Sequence, residues 1–379
     1  MIKLENVKKV YPDGTEAVKG VNFEIKDGEL CVLLGPSGCG KTTTMKMINR
    51  LIPITEGHIY IDGTDNRDMD ENELRREMGY AIQEIGLFPH MTVAENISTV
   101  PTLKNWSAQE KEDRVRKLLG LMGMDPDEFA EKYPTELSGG QRQRVGVARS
   151  LGADPPIMLM DEPFGAIDPI TRDRLQDEFL KIQDEIQKTI VFVTHDINEA
   201  IKMGDKVALL KDGELVQYSP PAELLAAPKN RFVRDFVGSD RTLKSLRLMK
   251  VDEAMKESPR VVKEDQDLAS VGKIMNEEEV NYLIVVEDGN KLKGWVNRED
   301  VEEVGTGTVA DAMVTDTGAA EIGTSLADAL TVMLERDVAN LPVVDGDNNL
   351  QGLLTFHDLQ SLIGETYTER GGKHPEVKK

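Results

Sequence analysis

The chain has 379 residues, 39% of them hydrophobic, and a formal net charge of −22; that is enough apolar material for two or three domains with cores of their own. No stretch approaches the run of about 18 apolar residues that a membrane helix needs. The opening MIKLENVKKVYPDG lacks the apolar run and small-residue cleavage site of a secretory signal, so a cytosolic chain, attached to a membrane only through a partner, is expected. The negative charge argues against nucleic acid as a partner. Residues 241–379 hold 27 acidic and 16 basic side chains, which solubility or a salt-rich or alkaline medium explains most simply. The two cysteines, Cys31 and Cys39, form no CxxC pattern and support neither a disulfide framework nor a zinc site.

Residues 1–238 mix short apolar, β-branched runs with longer helical patterns, the signature of an α/β domain. The first clear strand, Leu30–Leu34, leads into Gly35, Pro36, Ser37, Gly38, Cys39, Gly40, Lys41, Thr42 and Thr43, followed by a helical TTTMKMINRL. Strand, glycine loop and helix in this order make a phosphate loop. Its glycines let backbone N–H groups turn toward phosphate oxygens, Lys41 reaches the β- and γ-phosphates, and Thr42 can offer a hydroxyl to Mg²⁺. Cys39 reads as a packing residue, or as a thiol open to alkylation when ATP is absent. Gln83, after the apolar stretch GYAI, either reaches Mg²⁺ or plays no part.

Glu136–Arg144 reads ELSGGQRQR, a second glycine-rich loop before a helix. Ser138, Gly139, Gly140 and Gln141 could present N–H groups and a hydroxyl to an anion. Without a lysine the loop cannot replace the first one, so its client is a phosphate already held elsewhere. The strand Ile157–Met160 ends in Asp161 and Glu162, at the edge where open α/β sheets hold ligands; Asp161 is placed for the Mg²⁺ shell and Glu162 for polarising an attacking water. A helix over Ile170–Gln187 puts Leu175, Phe179, Ile182 and Ile186 on one side. The strand Thr189–Val193 then delivers His195 to the same edge.

Residues 239–250 read as a linker whose Arg241, Lys244, Arg247 and Lys250 recur every third position; a solvated face, or contact with anionic lipid or the acidic region, would account for them. Beyond it the sequence repeats. A shift of 58 residues places Val251, Ala254, Met255, Leu268, Met275, Leu283, Gly294 and Asp300 on identical residues without a gap, so 251–305 and 309–363 are two copies of one unit. Each reads helix (268–277; 326–335), strand, turn, strand, helix. Residues 364–379 form a polar tail.

The ordered set GPSGCGKTT, AIQ, LSGGQ, IMLMDEP and VTHD resembles the ATP-binding subunit of an ABC transporter over residues 1–240. The resemblance implies a P-loop NTPase fold with a helical subdomain and a homodimer that sandwiches two ATP molecules with Mg²⁺. Each Ser138–Gln141 loop would complete the neighbour's site. By the same resemblance Tyr11 stacks on adenine, Asp168 crosses the dimer interface, Glu162 is the general base, His195 positions the γ-phosphate, and Lys41 with Mg²⁺ neutralises developing charge. Thr42, Gln83 and Asp161 are the implied Mg²⁺ residues. GAID departs from the commoner SALD beside Asp168. The segment EIGLFPHMTVAEN falls where the family receives a helix of an integral-membrane permease; Leu87 and Phe88 are groove residues or ordinary core.

The duplicated region resembles tandem CBS domains of α+β fold. The pattern Gly352, Thr355, Asp358 matches a nucleotide-binding motif, whereas the first copy has Asn297 where the hydroxyl belongs. A regulatory adenine nucleotide (cyclic di-AMP by resemblance) and a structural or ionic-strength-sensing role both stand open; screening shortens from about 10 Å at 0.1 M salt to about 3 Å at 1 M. An ABC ATPase fused to a CBS pair, with QEIGLFPHMT, looks like the ATPase of bacterial uptake systems for glycine betaine, carnitine or choline. That implies a peripheral subunit on the cytoplasmic face, a permease, and a substrate-binding protein reached through it. An importer for another small solute and a soluble non-transport ABC ATPase are the alternatives.

Overall fold

Leu30–Leu34, Ile157–Asp161 and Thr189–Val193 are almost wholly apolar and buried along their length, as strands must be when a parallel sheet is covered on both faces. In the computed structural model they form the centre of a six-stranded sheet, in the order Glu214–Ser219, Lys206–Lys211, Leu30–Leu34, Thr189–Val193, Ile157–Asp161, Met78–Ala81. Every neighbouring pair is parallel except the first. The register sets Leu33 beside Val193 and Val193 beside Asp161. Three strands therefore end together, and whatever follows each is delivered to one place. Truncating a central residue such as the fully buried Leu33 would cost about 2–5 kcal/mol.

The structure describes residues 1–81, 86–165, 167–287, 289–316 and 318–368. They fold as two compact units, Met1–Gly238 and Ser239–Lys379. In the first, an antiparallel sheet of Glu16–Ile25, Ile2–Val10, Glu56–Ile61 and Thr64–Asp65 shares one core with the parallel sheet through Ile2, Leu4, Phe23, Leu33, Met45 and Val191. Helices Val93–Ile97, Ala108–Leu121 and Gly139–Leu151 pack against one another. The last lies so close to strand Met78–Ala81 that a Cβ at Gly79 would stand 2.3 Å from the Ser150 carbonyl oxygen. No helix among the described residues is long and apolar enough to cross a membrane.

In the second unit the repeats take their expected helices, Leu268–Glu277 and Leu326–Glu335, but neither copy builds its core alone. Lys256 and Glu257 of the first copy pair with Leu353 and Gly352 of the second; Val314 of the second bridges to Trp295 of the first. Lys250 bridges to Ser325 and Asp267 to Thr308 by the same exchange. One core accordingly joins Val251 to Leu326, Leu341 and Leu359, and the other joins Val309 to Leu268, Leu283 and Val296. A third apolar layer of Ile284, Leu292, Val344 and Leu350 lies between the copies.

Two expectations need correction here. The stretch 239–250 is not a solvated linker: Arg241–Leu246 is a helix, Leu246 is 2% exposed within the second unit's core, and Lys244 is buried and paired with Asp240 at 2.7 Å. Three-residue spacing made a basic stripe plausible, but packing of the intervening leucine decides the orientation. Helix Phe356–Thr368 also runs past residue 364, where a polar tail was expected; residues 369–379 lie outside the described ones.

Candidate nucleotide site

The loop after Leu34 is built on glycines at the points where nothing else fits. Gly35 has φ 145°, and a Cβ there would meet the Leu210 carbonyl oxygen at 2.2 Å. Gly40 has φ 101° and caps helix Lys41–Ile48, with the Ala17 carbonyl 2.5 Å from its virtual Cβ. A side chain at either position would force the loop off the sheet. Pro36, Ser37 and Gly38 form the exposed tip, while Lys41 is buried. Its Nζ donates to the carbonyls of Gly35 at 2.6 Å and Pro36 at 3.0 Å, so the ammonium lies along the cradle it would serve. Thr42 and Thr43 follow on the first turn, half-buried.

Thr42 Oγ1 donates to Asp161 Oδ1 at 3.0 Å. Burial pushes the Asp161 carboxyl up, although Thr42 and the nearby lysines oppose it. Glu162 follows with φ 45°, a left-handed conformation that a side-chain-bearing residue adopts at some strain and that turns its carboxylate out of the strand direction. Its Oε1 lies 3.1 Å from His195 Nδ1. The sheet edge thus gathers Lys41, Thr42, Asp161, Glu162 and His195 as the sequence indicated. Gln83, the remaining candidate here, lies outside the described residues.

The other candidates fall elsewhere. Tyr11 follows strand Ile2–Val10, its ring 5.2 Å from Lys9 Nζ. Cys39 is 4% exposed, and its thiol is pushed up by that burial although Lys41 opposes, the surroundings of a packing residue rather than of a reactive thiolate. Ser138 caps helix Gly139–Leu151 in a reciprocal box with Gln141: Ser138 Oγ accepts the Gln141 N–H at 3.3 Å, and Gln141 Oε1 accepts the Ser138 N–H at 2.8 Å. Asp168 caps helix Pro169–Ile186 through the Thr171 N–H at 3.0 Å. Phe88 is 40% exposed, fixed at its backbone by Asn96 through bonds of 2.8 and 3.1 Å. It lines a cavity of about 400 Å³ with Tyr80, Arg76, Val100 and Arg149; Leu87 is half-buried and does not line it.

In the second unit Thr355 Oγ1 donates to Asp358 Oδ2 at 2.5 Å and accepts the Asp358 N–H at 3.1 Å. Burial of Asp358 is outweighed by bonds from Thr355 and Lys256, which hold its carboxyl below the usual range. Asn297 makes the corresponding contact with Asp300 at 3.1 Å. The glycines of both motifs have an internal reason: a Cβ on Gly294 would stand 2.3 Å from the Val314 oxygen, and one on Gly352 would stand 2.5 Å from Met255 Sδ. They admit the exchanged segments.

Sequence reasoning passed over the buried polar set Thr194, Glu199 and Gln176 behind His195, with the half-buried Arg172 at its end. A signal was present: Gln176 and Gln183 lie on the apolar face of an otherwise amphipathic helix, where polar side chains need internal partners.

A phosphate loop, a carboxylate pair at a strand end, a capped LSGGQ loop and a histidine at the same edge define an ATP-binding cassette. The family model described as ABC transporter matches residues 18–165, and the CBS domain model matches 251–305 and 309–365. The glycine betaine/carnitine/choline transport ATP-binding protein OpuCA of Bacillus subtilis is 47% identical over 366 residues, 96% of each chain. The choline transport ATP-binding protein OpuBA of the same organism is 47% identical over 367 residues. The osmoprotectant import ATP-binding protein OsmV of Salmonella typhimurium is 42% identical over 377 residues, 98% of each. The dimeric structure of the cassette MJ0796 aligns at TM-score 0.53 with 40% identity, over 58% of this chain and 99% of its own. The chain belongs to the ABC transporter family, as an ATP-binding and ATP-hydrolysing subunit that carries a CBS pair.

Proposed function

We propose that two copies of this chain enclose ATP between the phosphate loop of one and the LSGGQ loop of the other, and drive inward transport of a quaternary amine through a membrane permease. The observation that carries the dimer is what surrounds the signature glycines. Neither Gly139 nor Gly140 has a positive φ; a Cβ on Gly139 would meet nothing within 4 Å, and one on Gly140 only Thr171 at 3.8 Å. The chain's own fold does not demand glycine there, so the demand comes from something that approaches from outside. The dimeric cassette among the solved relatives supports this reading.

Within such a site Glu162 accepts the proton of the attacking water, and Lys41 lies against the β- and γ-phosphates. With its Nδ1 turned to Glu162, His195 has Nε2 left for the γ-phosphate. Thr42 and Asp161, oxygen donors 3.0 Å apart, suit a hard cation, and with Gln83 they would hold Mg²⁺. When bound, that ion neutralises charge on the phosphoryl oxygens. A site split between chains hydrolyses slowly until both close, so binding drives closure and hydrolysis permits reopening. Tyr11 is assigned to the adenine and Asp168 to the dimer contact.

The relatives named for glycine betaine, carnitine, choline and osmoprotectant transport, matched over nearly their full length, support a quaternary-amine importer on the cytoplasmic face. In it a permease helix occupies the groove at Phe88, and a substrate-binding protein delivers the solute. The second unit is read as its regulator, with an adenine nucleotide such as cyclic di-AMP at Thr355 and Asp358. Mixing inactive Lys41→Ala chains with inactive Ser138→Arg chains tests the dimer: one working pocket should return in the mixture. Failure to regain activity would refute the shared site. Competition among labelled betaine, carnitine and choline for uptake assigns the solute.

A further inference from the structure

Behind His195 lies a chain of polar groups, buried at Thr194, Glu199 and Gln176 and half-buried at Arg172, that touches no expected substrate atom. Glu199, 7% exposed on helix Ile197–Met203, accepts the Thr194 hydroxyl on Oε2 at 2.5 Å and the Gln176 amide on Oε1 at 3.1 Å. Arg172 Nε stands 4.0 Å from that second oxygen, and Arg172 Nη2 donates to the Ile167 carbonyl at 2.9 Å. Thr194 Oγ1 accepts the Asp196 N–H at 3.0 Å, and the Thr194 N–H donates to Leu33 at 3.2 Å. The residues on either side of His195 are thus fixed through one carboxylate, which is tied in turn to the helix that begins beside Asp168.

Burial pushes the Glu199 carboxyl up, against the bond from Thr194. A threonine and glutamine alone could satisfy each other at less desolvation, so a buried acid at this junction asks for a further reason.

We propose that Glu199 is a positioning residue for ATP hydrolysis: it sets the reach of His195 through Thr194 and, through Gln176 and Arg172, couples that reach to the Asp168 loop. This rests on the assignment of His195 to the γ-phosphate. A neighbouring chain that presses on Asp168 would then be felt at the histidine of the same chain, by way of Arg172, which holds the Ile167 and Asp168 carbonyls at 2.9 Å each and stands 4.0 Å from Glu199.

The test is a double-mutant cycle on the full chain, read as kcat and KM for ATP. Glu199→Ala should lower kcat by about tenfold or more while KM stays within about twofold. Glu199→Gln, which keeps an acceptor for Thr194, should recover kcat to within about threefold of the parent. In a His195→Ala background, Glu199→Ala should change kcat by less than about twofold, because the group it positions is gone. Two single losses that multiply in the double variant would overturn the route through the histidine, as would a rise in KM matching the fall in kcat. A His195→Ala chain with undiminished kcat would sink the histidine assignment itself, and the proposal with it. Should Glu199→Ala not fold, Thr194→Val takes its place in the cycle under the same criteria.

Discussion

Gly35 shows how a single residue fixes the site. Its backbone lies where only glycine is comfortable, and the Leu210 carbonyl occupies the space of any side chain. Gly35→Ala should therefore abolish ATP binding, measured by equilibrium titration, and lower thermal stability as well. Glu199 offers a prediction on pH. Its folded pKa lies above its unfolded value, with burial as the main cause and Asp196 adding to it, while Thr194, Arg172 and His195 oppose. The native state therefore binds this proton more tightly than the unfolded chain. The group's contribution is greatest below the ordinary glutamate range and is lost as pH rises through the folded value. Glu199→Gln should accordingly unfold no earlier than the parent at neutral pH; a loss beyond about 1 kcal/mol would contradict a penalised charge. The motif residues were legible because phosphate chemistry restricts residue type at fixed spacing. The Glu199 set was harder, because Arg172 and Gln176 lie on one helix and Thr194 and Glu199 beyond the next strand, and the two pairs meet only once the helices pack.

At the scale of elements, the central strands were readable from their continuous apolar runs and the helix Pro169–Ile186 from its periodicity, since Leu175, Phe179 and Ile182 are buried and Ile186, on the same side, is half-buried. The repeat helices fell at their expected bounds for the same reason. The segment after Met78–Ala81 was harder, because aromatic exposure follows from which backbone groups are tied down. Asn96 secures the carbonyls of Phe88, Met91 and Thr92, which leaves the Phe88 ring at the groove with the Arg149 guanidinium 5.9 Å from its centroid. A partner helix seated there would bury that ring, so Phe88→Asp should prevent recovery of the permease with the tagged subunit. Undiminished co-purification would remove Phe88 from the interface.

For the whole molecule, the boundary at Gly238 determines how the second unit's role is tested. Removal must begin at Ser239, because Leu246 belongs to the core that is being removed. If the shortened chain, assembled in its transporter, keeps the parent's response to salt and adenine nucleotides, the CBS pair is not the sensor. The duplication was plain in the sequence, whereas the exchange of segments between copies was not. Identical residues at a constant offset satisfy pairing within a copy or across copies equally well, and only the three-dimensional closure chooses.

That exchange has a consequence during synthesis. Lys256 and Glu257 leave the ribosome nearly a hundred residues ahead of Gly352 and Leu353, the residues with which they pair, and the first copy also waits for Val309 to fill its interior. The two cores therefore finish at different times: the one around Leu268 and Val296 lacks nothing once Ala312 is out, whereas the one around Val251 waits for Leu341, Leu354 and Leu359. A premature stop before Val309 leaves both unfinished, and a later one, short of Leu350, strands Lys256 and Glu257 without partners.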